Sequence, residues 1–467
     1  MPQYSAGSRP PDAAAMVSAN PRDPAFFQNP YAHYANWHSR QTVFYWETYG
    51  FWCLCGFKDI DRVLRDKRFG RQILHRYSRR ELGFSEPESH LSDFTQLEAH
   101  SLLNLEPPEH SRLRRHVNLQ FAHRRINDMR EQMNTLAQQI LRDLLLESQN
   151  RDSNNSTTKP GITVDLLTDY AAPFAATVIT RLLGITIDAI PDLLAWSHAM
   201  VKVYTCTQTR EEELLANQAA IEFREFLLQQ ISQKRIKPGD DLLSELLGEQ
   251  LRNPDSALID DEIVSLVVLM LNAGHEATVH QVGNAVKTLL EFQNQGVGSD
   301  TATVATSNVV DLLREEKQAK KTVIELMRFD TPLHMFTRYA LEAISLPCDD
   351  GSTLTFKPGD QIGLLLGAAN HDPKIFTSPE QFNPKRDPLD SLSLGAGIHF
   401  CLGAALAQSE IEIALRALFC GDYTIQAVEG FNYEYADSYH FRGLEQLQVL
   451  IQARPPQGET PASLTGC

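Results

Sequence analysis

Apolar residues recur at helical spacing over three long stretches, Ser111 to Glu147, Val164 to Leu183 and Glu211 to Leu247. Each predicts helix with one face turned to a core. A fourth stretch, DEIVSLVVLMLNAGHEATVHQVGNAV (Asp261 to Val286), is apolar nearly all round and predicts a long buried helix. Strand-like patterns are confined to two places. TVFYWETYGFWCLCGF (Thr42 to Phe57) is aromatic and β-prone, and its internal Tyr-Gly predicts a hairpin turn. LPCDDGSTLTFKPGDQIGLLL (Leu346 to Leu366) alternates and turns like a small β-unit. The polar breaks Asn150 to Gly161 and Asn294 to Asn308 read as loops rather than domain linkers. Residues 1–20, rich in Pro, Ala and Ser, and residues 456–467 read as flexible tails around one body, 21–455. The expected architecture is mainly α with a small β part, in a single large domain.

Composition changes that picture little. With 467 residues, 42% of them hydrophobic, the chain has ample material for one large core. Its net charge of −16 argues against general nucleic-acid binding, which needs a basic surface. The seven cysteines are irregularly spaced and include no CxxC, so a zinc ribbon is not expected and a reducing, cytoplasmic setting is. The first residues carry no signal-like apolar core, and the run IVSLVVLMLNAG is short against a bilayer core of ~30 Å, so no membrane association is expected.

One stretch carries distinctive chemistry. SLGAGIHFCLGAALAQSE (Ser393 to Glu410) sets a lone cysteine, Cys401, among Gly395, Gly397 and Gly403, just ahead of a helix-forming run. A thiolate is a strong, soft ligand for iron. Glycines permit the bend and let a flat ring approach, and a helix N-terminus beyond Cys401 favours the ionised sulfur. A buried structural cysteine, a nucleophile with His399 as base, and a zinc ligand are the other readings. The nucleophile is disfavoured because side chains at i and i+2 seldom face each other, and zinc because no further ligands stand nearby.

GAGIHFCLGAALAQSE resembles the haem-binding loop of the cytochrome P450 superfamily, especially its soluble bacterial members. The family pattern is Phe-Gly-x-Gly-x-His-x-Cys-x-Gly-x-x-Leu-Ala, and only its first position departs, where Leu394 replaces the aromatic residue. Other regions agree in order. ELMRFDTP supplies an ExxR pair, Glu325 and Arg328, and EQFNPKRDP supplies its partner, Arg386. LEPPEHSRLRRHVNLQF offers His110 and Arg114 as haem-propionate donors, joined by Arg338 of FTRYA and by His399. AANHDPKIF and FRGLEQLQV resemble further family segments.

The resemblance implies haem b held by Cys401 as the axial iron ligand, near Ala273, Gly274, Gly395 and Gly403. It implies a monooxygenase that inserts one atom of dioxygen into a small hydrophobic organic substrate, by hydroxylation or epoxidation. Electrons would come from NAD(P)H through a separate ferredoxin or flavodoxin and its reductase, docking on Arg112, Arg115, Arg124 and Arg125. Leu269, Asn272, Leu333 and His334 would line the substrate site, and 71–101, basic at Arg71, Arg76, Arg79 and Arg80, would form a lid. The oxygen-side motif Ala-Gly-x-Asp/Glu-Thr reads AGHEA here: Ala273, Gly274 and Glu276 match, Ala277 replaces threonine, and Thr278 lies about 100° further round the helix. Catalysis would then rest on Glu276, Ala277 and Thr278, with a substrate hydroxyl or ordered water relaying protons. Peroxide-driven, rearrangement or coupling chemistry on the same fold is the alternative.

Overall fold

The chain is described here from a computed structural model covering residues 3–5, 15–86, 88–152, 161–203, 209–295, 309–387 and 391–454. Its principal helices are α1 (Tyr31–Arg40), α2 (Phe57–Arg65), α3 (Glu109–Asn118), α4 (His123–Asp152), α5 (Ala172–Leu183), α6 (Ile190–Lys202), α7 (Arg210–Ile236), α8 (Asp260–Gln295), α9 (Glu316–Phe329) and α10 (Ala404–Cys420). The periodic stretch from Ser111 to Glu147 is two helices, broken after Asn118. The stretch from Glu211 to Leu247 also divides: α7 ends at Ile236, and a new helix starts at Leu242 behind the Asp241 cap. In both cases one apolar period runs through a break that local chain direction imposes.

Helices α4, α5, α7, α8 and α10 share one large apolar core. α8 runs through it, and Val267, Val268, Val282 and Leu289 are all at most 1% exposed. By length and composition Asp260–Gln293 is apolar enough to cross a membrane, but most of it is covered by the surrounding helices. A second core lies under a six-stranded sheet. Its strands, in spatial order, are Met16–Val17, Val43–Trp46, Phe51–Leu54, Gln361–Leu364, Phe336–Ala340 and Phe69–Gly70. Val43–Trp46 and Phe51–Leu54 form the antiparallel hairpin read from the sequence. The β-unit at Leu346–Leu366 is shared out: Ile344–Pro347 pairs with Thr353–Phe356, while Gln361–Leu364 joins the larger sheet.

The expected N-terminal tail contains two strands. Gln3–Ser5 pairs with Thr353–Thr355, and Met16–Val17 with Tyr45–Trp46. The tail at 456–467 and most of the two polar loops lie outside the described residues.

Candidate active site

The Cys401 loop joins the sheet side to α10. Gly395 (φ +68°) and Gly397 (φ +72°) adopt left-handed backbone that other residues rarely take. At Gly397 a Cβ would also lie 2.1 Å from the Leu64 carbonyl oxygen at the end of α2, so no side chain fits. Gly403 differs: its φ is −82°, and nothing stands within 4 Å of its missing Cβ. It contributes an open flank beside Cys401 rather than an unusual bend. The Cys401 N–H donates to Leu394 O at 3.0 Å, and Ala407 N–H donates to Gly403 O at 2.8 Å as α10 begins. Burial pushes the Cys401 thiol above its ordinary range, while the Gly403 N–H and the Arg114 guanidinium oppose that shift. Those opposing contacts do not outweigh burial; a metal ion ligated by the sulfur would favour its thiolate form.

Arg114 on α3 donates to Ile398 O (3.1 Å) and Phe400 O (2.6 Å). It clamps the cysteine loop from the helix that also carries His110. His110, one turn earlier, is 2% exposed and its Nε2 has no partner. Its ring lies 4.5 Å from that of His399, whose Nε2 meets Glu106 Oε1 at 3.1 Å. Burial, then the neighbouring His399 and Arg114, push His110 down to about 4. Arg338 is 3% exposed and donates only to the Thr337 carbonyl. Arg71 shares that acceptor, its Nε is unpartnered, and its backbone N–H donates to Glu106. Burial and the Arg71 guanidinium lower Arg338 to about 9. Two guanidiniums, Arg338 buried and Arg71 half-buried, thus gather with two imidazoles around one carboxylate. Neither arginine has an ion pair among the described residues, a shortage of anions that two propionates would make good.

Arg71 belongs to the segment expected to form a lid, and no sequence spacing marks it for the company of Arg338 and Glu106. Two more arginines of that segment are also engaged: Arg76 lies 3.9 Å from Glu342 and Arg79 donates to Ser85 O at 2.8 Å.

The ExxR network is buried and complete. Arg328, 2% exposed, makes two 2.8 Å bonds to Glu325 and reaches Asn370 O at 2.8 Å and Pro379 O at 3.0 Å. Arg386 Nε lies 3.2 Å from both Glu325 oxygens. This packs α9 against the segment that leads to the cysteine loop.

On α8, Leu269, Ala273 and Ala277 form one stripe, and Ala273 is exposed although the residues before it are buried. Gly274 points elsewhere. A Cβ there would lie in ordinary contact with Ile179 of α5 at 3.4 Å, so the open side of this glycine faces that helix. Thr278 is 5% exposed, and its hydroxyl lies 3.0 Å from Gly274 O and 3.3 Å from Glu410 Oε2 on α10. It is turned into the α8–α10 contact. Glu410, invisible to pattern reading, is 1% exposed; burial pushes it up to about 8, against the Thr278 hydrogen bond. Burial raises Glu276 to about 7, and its Oε1 lies 3.9 Å from His280 Nε2.

Asn272 is 5% exposed with neither amide atom partnered. Leu333 is half-buried and bridges to Phe441. His334 is fully buried and meets the Tyr34 hydroxyl at 2.6 Å from Nδ1, so it belongs to an internal aromatic cluster and not to a substrate wall.

The residues present therefore fit haem b, with Cys401 as iron ligand, Gly403 open beside it, and the cationic cluster for the propionates. Comparison with known proteins agrees. The chain is 29% identical over 444 residues to the polyketide biosynthesis cytochrome P450 PksS of Bacillus subtilis, spanning 92% of this chain and 98% of that one. It is 30% identical to 6-deoxyerythronolide B hydroxylase of Saccharopolyspora erythraea, over 86% and 90% of the two chains. The crystal structure of P450BioI in complex with hexadec-9Z-enoic acid ligated acyl carrier protein superposes with a TM-score of 0.74, at 26% identity, covering 91% of this chain and 99% of that one. The cytochrome P450 family pattern matches residues 71–420, and the chain belongs to that family as a haem-dependent, dioxygen-using monooxygenase served by redox partners.

Proposed function

We propose that this monooxygenase hydroxylates or epoxidises a hydrophobic secondary metabolite in the cytoplasm, and that it supplies protons without an oxygen-side threonine. Bound haem supplies dioxygen activation and oxygen-atom insertion; the chain supplies position, dryness and protons. The carrying observation is the stripe of Leu269, Ala273 and Ala277, which bears no hydroxyl, while Thr278 is committed to Gly274 and Glu410. Glu276 is an ionisable group next to Ala277 on the same helix. Its raised pKa keeps a large protonated fraction near pH 7, as a proton donor requires. A substrate hydroxyl or an ordered water beside Ala277 completes the relay.

Electrons are proposed to come from NAD(P)H through a ferredoxin or flavodoxin and its reductase. Arg112 is spent on Glu109 and Glu262, and Arg125 lies 3.0 Å from Asp240. Arg115 and Arg124 are exposed and have no ion pair among the described residues. With exposed Leu119 and Phe400 beside the cysteine loop, they suit an acidic redox protein.

The test is Ala277→Thr. Substrate or water assistance predicts that the added hydroxyl leaves product formed per NAD(P)H unchanged or lowers it, because the methyl and hydroxyl crowd the existing relay. A strong rise in both turnover and coupling on the true substrate overturns assistance. Turnover with peroxide, but none with reductase and NAD(P)H, selects the peroxide-driven alternative.

A further inference from the structure

A third core, apart from the two already described, is dense in oxidisable side chains. It holds Trp37 and Trp46, two of the chain's four tryptophans, together with Cys53, Cys55, Tyr34 and Tyr439. None of these six is more than 5% exposed. The chemistry described so far uses none of them, and aliphatic side chains would serve packing as well.

One pair in this core has the geometry of a joint electron and proton donor. The Tyr34 hydroxyl of α1 lies 2.6 Å from His334 Nδ1 and 3.1 Å from the Tyr439 hydroxyl, and Tyr34 and His334 are fully buried. Burial pushes the Tyr34 phenol up, so it keeps its proton, and holds His334 down to about 3, so the imidazole is neutral and offers a lone pair. An oxidised phenol is a far stronger acid than an imidazolium, so its proton crosses to Nδ1 despite that burial.

The segment Leu333–Phe336 joins this pair to the cationic cluster that fits the haem propionates. Arg71 and Arg338 both lie over the Phe336 ring, 5.2 and 5.7 Å from its centroid. Phe336 packs on the sheet core, and Met335, next to it, on the oxidisable core. His334 stands two residues before Phe336, about 7 Å along an extended chain. On the other side, rings continue outward. Tyr34 and Trp37 have centroids 5.7 Å apart, Trp37 and Trp46 5.4 Å, and Trp46 and Tyr49 4.9 Å. Tyr49 is half-buried in the turn of the hairpin.

We propose that Tyr34, with His334 as its proton acceptor, is a redox-active side chain that draws off an oxidising equivalent left at the haem site when no substrate consumes it, and that Trp37, Trp46 and Tyr49 refill it from the surface. The proposal rests on the monooxygenase reading, whose dioxygen chemistry supplies the oxidant. The step is balanced. Tyr34 gives one electron to the site and its hydroxyl proton to His334 Nδ1, which leaves a neutral phenoxyl radical and an imidazolium. One electron arriving through Trp37 reduces the phenoxyl, the proton returns from His334, and both side chains are restored. At Tyr49 the electron comes from a soluble thiol, which releases its own proton to solvent.

The experiment uses the full haem-loaded chain, free of substrate, with Tyr34→Phe, which removes only the hydroxyl, and Trp37→Phe. Each protein is mixed with hydrogen peroxide, frozen within milliseconds and examined by electron paramagnetic resonance, with ring-deuterated tyrosine to mark a phenoxyl signal. The wild type is expected to show that signal, Tyr34→Phe to lose it, and Trp37→Phe to keep it with a slower decay in the presence of a thiol. Haem bleaching by repeated peroxide additions is expected to run several-fold faster in Tyr34→Phe, while its reduced carbon-monoxide spectrum stays that of the wild type. A second arm does not need the haem: a photo-oxidised ruthenium complex in solution is expected to generate the same phenoxyl from the surface end. No phenoxyl in the wild type, or one that survives in Tyr34→Phe, overturns the proposal. An unchanged decay in Trp37→Phe overturns the exit path. A phenoxyl formed by the ruthenium complex but not by peroxide, in a chain with an intact haem-thiolate spectrum, overturns the link to the haem site. If the wild type shows no haem-thiolate spectrum, the monooxygenase reading fails instead, and the ruthenium arm still decides whether Tyr34 is redox-active.

Discussion

Around Cys401 the loop backbone is tied down by protein: Cys401 N–H on Leu394 O, Arg114 on two loop carbonyls, and Gly397 against the end of α2. Along α8 the opposite holds, with Asn272 and His275 carrying unpartnered buried atoms and Ala273 open in mid-helix. The first region is fixed by contacts within the protein, and its neighbours leave little freedom. The second leaves polar positions for groups that are not protein. A ligating sulfur needs a fixed place, whereas protons and substrates must come and go, so rigidity and openness fall on opposite sides of one site.

Cys401→Ser is the severest challenge to this contrast. If the loop exists to present sulfur, the reduced carbon-monoxide-treated variant loses the thiolate-type spectrum and the purified protein loses monooxygenase activity altogether. An unchanged spectrum removes the basis of the whole account. Next comes the support behind the loop. Arg328→Ala leaves buried Glu325 to Arg386 alone and strips the Asn370 and Pro379 carbonyls of their donor, a change expected to cost about 3 kcal/mol. Chemical denaturation is expected to show this loss together with poor haem retention, while Arg115→Glu, at the exposed edge, leaves stability within about 0.5 kcal/mol.

Acid and alkali sharpen the comparison further. Burial holds His334 and His371 down to about 3, so both are neutral in the fold. The unfolded chain, with histidines near 6.5, binds more protons below that pH, so stability is full above about 6.5 and falls as pH drops. The pair is expected to cost about 4 kcal/mol between pH 7 and pH 5. Glu410 acts with the reverse sign. Burial raises it to about 8, so the fold favours its protonated form and stability declines as pH rises from the ordinary carboxylate range towards 8. Glu410→Gln is expected to remove that decline, so that the gain in stability the histidines give as pH rises towards 6.5 becomes steeper; an unchanged slope in denaturation titrations shows that Glu410 is ionised at its site.

The smallest effect is expected at the surface. Reversing Arg115 and Arg124 to Glu should slow electron delivery from an acidic partner by about tenfold at low salt, with the difference shrinking as salt is raised. Equal rates at all salt concentrations would move the docking surface elsewhere.

What was legible in the sequence is what a short spacing encodes. The cysteine loop and the ExxR pair each sit within a few residues, and the hairpin at Thr42–Phe57 needs only its own turn and alternation. Functions made by long-range packing were not legible. Arg71 is interior only because Arg338 and Glu106 come to it from elsewhere in the chain. Thr278 meets Glu410 across 132 residues. Gly274 meets Ile179 of α5, a neighbour 95 residues away that no local spacing reveals. His334 fell one position from a half-buried leucine, and that step turned it to Tyr34 rather than outward.

Gly397 abuts the carbonyl of Leu64, an atom belonging to the sheet lobe, whereas the next helix after the loop belongs to the helical lobe. The sulfur's coordinates are thus gauged from a surface across a seam, as a key is cut to its lock. Iron capture becomes a report on whether the seam has closed: a chain with only one lobe assembled has the cysteine but nowhere to aim it.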